Sequence, residues 1–289
     1  MVTAGQTESG KAISQRRWLT GHLTAVVGAR VPQIVWAGSL VLGAYLRWAY
    51  VELSEFGADQ NTALHYAHAL RRGWDLPVVG MASSVGPYFG PGEYYVMLPP
   101  QFISDAPEVS IYYVGLLGLI AGAWFSLVVW RYFGRRTGLA TMLFFSCGPW
   151  AVYFTRKIWT PDTLPLFSAA AFSFLLLALI RRRWWALPAA TFTLGFATQV
   201  HHSAIGMLPA VLVALLVFWR RLRLWQVALS GVTFVLPASL YIWHAWHNGP
   251  QELVGLWMEV VGSGPLVLVL AVLLIAVLVG GLFFLLARR

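Results

Sequence analysis

The chain has 289 residues, 58% hydrophobic and only 11% charged, with 15 Trp and a mean hydropathy of +0.68. Soluble domains carry roughly twice that share of charge, so a water-soluble globule, a disordered chain and a disulfide scaffold are all excluded. The net charge of +9 is concentrated in short Arg clusters between apolar runs, the pattern of cytoplasmic loops rather than of a nucleic-acid surface. The single Cys147 lies in an apolar run and reads as a free buried thiol.

In chain order, residues 1–31 read as a polar cytoplasmic tail without the layout of a cleaved secretory signal. Residues 32–289 read as one transmembrane domain. Spans are predicted at 32–51, 109–131, 138–154, 162–180, 185–200, 203–219, 225–243 and 265–287. The last is a run of 23 residues without a charge. Pro149, Pro165, Pro209 and Pro237 are expected to kink spans, since neighbouring helices can re-satisfy the freed backbone groups. The predicted fold is therefore an all-α polytopic membrane protein of about eight transmembrane helices.

With both termini cytoplasmic, 15 of the 20 cations fall inside, and ten of the 11 acids fall outside. Every inner loop is then basic, as the positive-inside rule requires. The expected location is the cell (inner) membrane, multi-pass. The outer loop 52–108 is long at 57 residues, and long loops in compact domains are commonly functional. Within it Ala63, Leu64, Ala67 and Leu70 recur at helical spacing, predicting an amphipathic helix along the outer interface.

Ionisable groups at the membrane edge are costly to keep and mark function by default. Four segments bring such groups to the outer side: Asp59-Gln60, Glu93-Tyr94-Tyr95, Arg156-Lys157 with Asp162 in one turn, and His201-His202. Structural roles compete for each. Asp59 and Asp162 suit helix N-termini, Arg156 and Lys157 could snorkel to headgroups, and Glu93 could pair with Arg71 or Arg72. The two adjacent His residues point about 100° apart on a helix and suit a shared metal poorly.

The order of these features resembles the polyprenyl-phosphate-dependent glycosyltransferases of GT-C type, including the protein O-mannosyltransferase-like and aminoarabinose-transferase-like branch. Asp59-Gln60 stands where the family has an acidic pair, and Ser83–Tyr95 where it has a Tyr-Tyr segment. Arg156–Asp162 stands where it has an Arg…Pro-Asp turn. With Gln60 in place of the second acid, only Asp59 can act as base at that position. Members are commonly longer, so the chain reads as a short member, a fragment or half of an assembly.

The resemblance implies an inverting transfer of a monosaccharide from a polyprenyl-phosphate donor to a glycan, lipid or protein acceptor at the outer face. It implies Asp59 as base and a substrate site formed by Glu93, Tyr94, Tyr95, Arg156, Lys157, Asp162, His201 and His202. No cofactor is demanded, although Mg²⁺ or Mn²⁺ bridging Asp59 and Asp162 is compatible with carboxylate oxygens. Nucleic acid is not an expected partner; membrane lipids are. The rival readings are a non-catalytic assembly subunit, a lipid-linked-sugar transporter and an outer-face acyltransferase.

Overall fold

The computed structural model describes residues 30–82 and 88–248, and these are mostly helical, with one isolated β-bridge between Ala82 and Tyr88. The predicted tail and the span at 265–287 lie outside the described residues, as do residues 83–87 of the Tyr-Tyr segment.

Helix α1 covers residues 30–48. It docks on α5 (Pro107–Phe133) through Trp36 Nε1, which donates to Ser126 Oγ at 2.8 Å, and Trp48 Nε1, which donates to the Tyr112 carbonyl at 3.2 Å. Between them the outer loop folds into three helices: α2 (Ala58–Arg71), α3 (Gly92–Val96) and α4 (Leu98–Gln101). The predicted amphipathic helix is α2, and Ala63, Leu64 and Ala67 are its buried face. That face packs on α3 and α4, in a core shared with Val96, Met97, Ile111, Val114 and Val200. Its polar edge is pinned by Arg71 and His68, which meet Asp105 Oδ1 at 2.9 and 3.1 Å.

The rest is a series of hairpins. Helix α5 reverses at Gly134, whose φ of 95° favours glycine, into α6 (Arg135–Cys147). A break at Gly148 separates α6 from the short α7 (Pro149–Tyr153). After a 3₁₀ turn at Thr160–Thr163 come α8 (Leu164–Arg181) and α9 (Ala186–Val200). A second 3₁₀ turn leads to α10 (Leu208–Val217), followed by α11 (Leu224–Val235) and α12 (Ser239–Asn248). Helix α9 is central and packs on α3, α8 and α11. At the α9–α11 crossing, Gly195 faces the Phe234 carbonyl with no room for a Cβ, and Thr191 and Thr233 share a hydroxyl contact of 2.8 Å.

Among the described residues three helical stretches are long and apolar enough to cross a membrane: Pro107–Phe133, Thr160–Arg181 and Leu224–His247. The other predicted spans in this region are helical but shorter or interrupted. The prolines explain part of this. Pro165 and Pro209 do not kink spans; they sit in the first turns of α8 and α10, where a missing N–H costs nothing. Pro149 and Pro237 do mark interruptions, between α6 and α7 and between α11 and α12.

The break at Pro149 has a specific repair. Proline has no N–H to give the Phe145 carbonyl. The Arg47 guanidinium supplies the missing donors: Nη2 to Phe145 at 2.6 Å and to Ala151 at 3.3 Å, and Nη1 to Ser146 at 3.0 Å and Gly43 at 3.1 Å. Arg47 is almost wholly buried, at 1% exposure. A buried carbonyl left without a donor is costly, and bonds from a charged donor are among the stronger ones. Replacement Arg47→Met is expected to lower the stability of the detergent-solubilised protein by roughly 3 kcal/mol, read as a fall in Tm. Arg47→Lys should recover only part of it, because a single ammonium cannot span four carbonyls.

Candidate active site

The turn between α7 and α8 carries three of the predicted site residues, Arg156, Lys157 and Asp162. The chain leaves α7 at Phe154, and Arg156 reaches across to the end of α1. There its guanidinium donates to the carbonyls of Leu46 (2.9 Å), Ala49 (2.7 Å) and Tyr50 (3.2 Å). Arg156 is thus a cap on α1, engaged with a carbonyl at the end of the helix and with those of Ala49 and Tyr50 just beyond it, where Tyr50 takes a left-handed conformation. Lys157 turns the other way. Its Nζ lies 4.9 Å from the Tyr153 ring centre, 5.4 Å from Phe154 and 4.7 Å from Trp159, with Glu55 Oε2 at 3.4 Å. The aromatic faces hold the cation in place electrostatically.

Asp162 follows in the 3₁₀ turn. Its backbone N–H is bound by the Trp159 carbonyl at 2.9 Å, and the side chain is 3% exposed, with no hydrogen-bond partner for either oxygen. It lies on the wall of a largely apolar cavity of about 530 Å³. Trp150, Phe154 and Trp159 form one side of this cavity, and Arg47, His201 and Ser203 contribute its other polar groups. A second cavity of about 510 Å³ lies on the opposite face of α7, lined by Arg156, Lys157, Glu55 and Cys147.

Glu93 approaches from the loop side. Helix α3 sits directly on the end of α9, and at both Gly90 and Gly92 a Cβ would collide with Gln199. This close seating buries Glu93 to 2% exposure with neither oxygen partnered. Burial pushes its carboxyl up to about 8. Thr163 Oγ1 and Gln199 Oε1 are also buried and unpartnered, so acceptor oxygens from three segments collect here. Glu93, Lys157 and Glu55 are the charged groups within electrostatic reach of Asp162.

The two histidines divide. His201 lines the cavity, and its Nδ1 accepts from the Ser203 N–H at 3.1 Å, which leaves Nε2 to carry the proton of the neutral ring. His202 is buried. Phe89 stacks on His201 with centroids 4.7 Å apart and meets His202 at a tilt with centroids 4.9 Å apart.

Other predicted residues stand apart. Asp59 is exposed in the first turn of α2 and borders no cavity with Asp162. It is not the N-cap either. Gly57 holds that position, and its N–H is bound by buried Gln60 Oε1 at 2.9 Å, so the residue that replaces the expected second acid has a structural use. Tyr94 stacks on Tyr66 at 4.6 Å, and the Tyr95 hydroxyl donates to the Pro77 carbonyl at 2.8 Å. Burial raises both phenols above their ordinary range. The pair therefore anchors the loop. Glu93 does not pair with Arg71, which Asp105 and the Gln101 carbonyl engage instead. Arg47 is the site residue that sequence reasoning missed. Its signal was present, as a lone Arg one turn from the end of an apolar helix.

Residues 102–243 match the family model described as dolichyl-phosphate-mannose-protein mannosyltransferase. The match bears out the resemblance to GT-C mannosyltransferases and supports a membrane glycosyltransferase of that type. It includes the Arg156–Asp162 turn and both histidines, whereas Asp59 and Glu93 precede it. No curated protein sequence and no solved structure matches the chain.

The buried Glu93 makes stability depend on pH. Its folded value lies above the ordinary carboxyl range, so between about pH 4.5 and about pH 8 the unfolded chain releases a proton that the folded chain keeps. The stabilisation is complete at the acidic end and disappears as pH rises through the folded value. Thermal unfolding in detergent across this window should show a falling Tm for the native protein and a flatter profile for Glu93→Gln.

Proposed function

We propose that the chain transfers a monosaccharide from a polyprenyl-phosphate donor to an acceptor hydroxyl, with inversion, at the outer face of the cell membrane. The observation that carries this reading is Asp162: a buried, unpartnered carboxylate on the wall of an apolar cavity that His201 also lines, within electrostatic reach of a caged lysine. Such a group is expensive to keep without a purpose. The basic turns support the orientation. Arg181 lies over the Tyr132 ring and Arg221 binds the Leu179 carbonyl, so the Arg-rich turns gather at the end of the hairpins away from Asp162. With that end cytoplasmic, the cavity faces outward.

In this reading Asp162 takes the role that sequence order assigned to Asp59. The acceptor oxygen forms a bond to the anomeric carbon, and its proton passes to the Asp162 carboxylate. The bond from that carbon to the donor phosphate oxygen breaks, and its electron pair remains on the phosphate. His201 on the cavity wall and the field of Lys157, from the opposite face of α7, are placed to meet the charge gathering there. Arg156 contributes indirectly, by holding the turn against α1. Glu93, which burial keeps protonated, together with Gln199 and Thr163 offers donors as well as acceptors, which suits the hydroxyls of a sugar.

The divalent cation fits differently from the sequence expectation. Asp59 and Asp162 do not share a cavity, whereas the hard oxygens of Asp162 and Glu93 match the donor preference of Mg²⁺ or Mn²⁺. A cation held there would supply charge neutralisation for the donor phosphate.

Transfer from a radiolabelled polyprenyl-phosphate mannose in proteoliposomes tests the assignment. Asp162→Asn should lower transfer about a hundredfold or more while preserving the thermal unfolding profile, and Asp59→Asn should remain within a few-fold of the native rate. Undiminished transfer by Asp162→Asn would remove it as the base. Loss in Asp59→Asn alone would return the role to Asp59.

A further inference from the structure

The basic end of the molecule holds a cavity of about 300 Å³ between two turns, the one joining α8 to α9 and the one joining α10 to α11. Four guanidinium side chains line it: Arg182 and Arg183 from the first turn, Arg221 and Arg223 from the second. No carboxylate contributes to the lining, and among the described residues none of the four has an ion-pair partner.

The positive-inside bias accounts for cations at this end of the protein. It does not account for their convergence around one concave space, where like charges repel. The local structure holds them there nonetheless. Arg182 occupies a left-handed backbone conformation at φ 53°, unusual for a residue with a side chain, as α8 terminates. Arg221 Nη1 donates to the Leu179 carbonyl at 3.2 Å, tying the second turn to the end of α8. The Arg223 N–H is taken by Gln226 Oε1 at 2.9 Å, and Gln226 forms part of the lining. Trp184 and Trp225 pair at 6.0 Å beside it. Exposed Trp at the end of apolar helices sits at headgroup depth, so the cavity opens where lipid phosphates are most concentrated.

From this geometry we infer that the four-arginine cavity is a binding site for the phosphate of an anionic membrane lipid, on the side of the membrane opposite the glycosyl-transfer cavity. Guanidinium forks match phosphate oxygens bidentately, and basic pockets between membrane helices are suited to phosphate-bearing headgroups. The bound anion would relieve the repulsion among the arginines and bridge the α8–α9 and α10–α11 turns, so that lipid occupancy stiffens the hairpins that position α9. The site stands on its own residues and does not depend on which sugar or acceptor the other end handles.

Native mass spectrometry of the full chain, released from detergent with phosphatidylglycerol or phosphatidylcholine, tests it. The native protein should retain phosphatidylglycerol selectively. The Arg183→Gln/Arg223→Gln double variant should retain it on the order of tenfold less. Arg135→Gln/Arg136→Gln removes the same charge from the neighbouring α5–α6 turn, outside the cavity, and should retain lipid as the native protein does. Equal loss in both double variants would overturn the site in favour of diffuse surface charge, and equal retention of phosphatidylcholine would also overturn it. Thermal stabilisation by inorganic phosphate matching that by phosphatidylglycerol at equal concentration would reassign the cavity to a soluble phosphate ester and overturn the lipid source. Should the Gln variant fail to fold, Arg183→Lys/Arg223→Lys keeps the charge and removes the fork. Reduced lipid retention in that variant supports the site, and unchanged retention contradicts it.

Discussion

One guanidinium bridging two helix ends underlies the arrangement of the whole outer half. The Gly148-Pro149 step removes a donor from the α6 helix inside an apolar environment, and water is not at hand to replace it. Arg47 replaces it, from a helix about a hundred residues earlier in the chain. Because that bond set holds α7 at an angle to α6, Trp150 and Phe154 can wall one cavity while Val152 and Tyr153 wall another. Arg156 returns the favour by capping α1 from the far end of α7. Helix α1 and the α6–α7 segment are therefore cross-braced by two arginines, and the Lys157–Asp162 turn hangs from that brace.

Against this scaffold the carboxylates stand out for what they lack. The Nη groups of Arg47 and Arg156 are engaged by carbonyls, while Asp162 and Glu93 are buried with no hydrogen-bond partner for any oxygen. Two buried acids left open in this way are costly to keep. The loop 52–108 contributes by delivering Glu93, and it can do so because two glycines let α3 lie against the backbone of α9. Tyr94 and Tyr95 serve that delivery, fastening the segment to Tyr66 of α2 and to the Pro77 carbonyl.

Much of this was legible beforehand. The helix pattern and the amphipathic α2 with its Ala63, Leu64 and Ala67 face follow from periodicity and charge. Where reading by sequence went astray, the cause was a competition that composition does not show. Asp59 looked suited to a helix cap, but Gly57 holds the N-cap position, the adjacent Gln60 takes its N–H, and Asp59 faces solvent. Arg156 looked like a phosphate ligand until three carbonyls claimed it. Pro165 and Pro209 looked like kinks because helix starts are not visible inside an unbroken apolar run.

The sequence by itself determined that this is a helical membrane protein with a basic end and an acidic one, because hydropathy and charge are additive along the chain and each residue declares its own preference. Tertiary structure decided which charges are spent and which remain available. That depends on whether a neighbour from a distant segment offers a partner, as α6 does for Arg47 and α1 for Arg156, and as nothing described does for Asp162. The +9 of the composition thus resolves into cations that brace helices, cations gathered around a phosphate-sized cavity, and a few that face the unpaired acids.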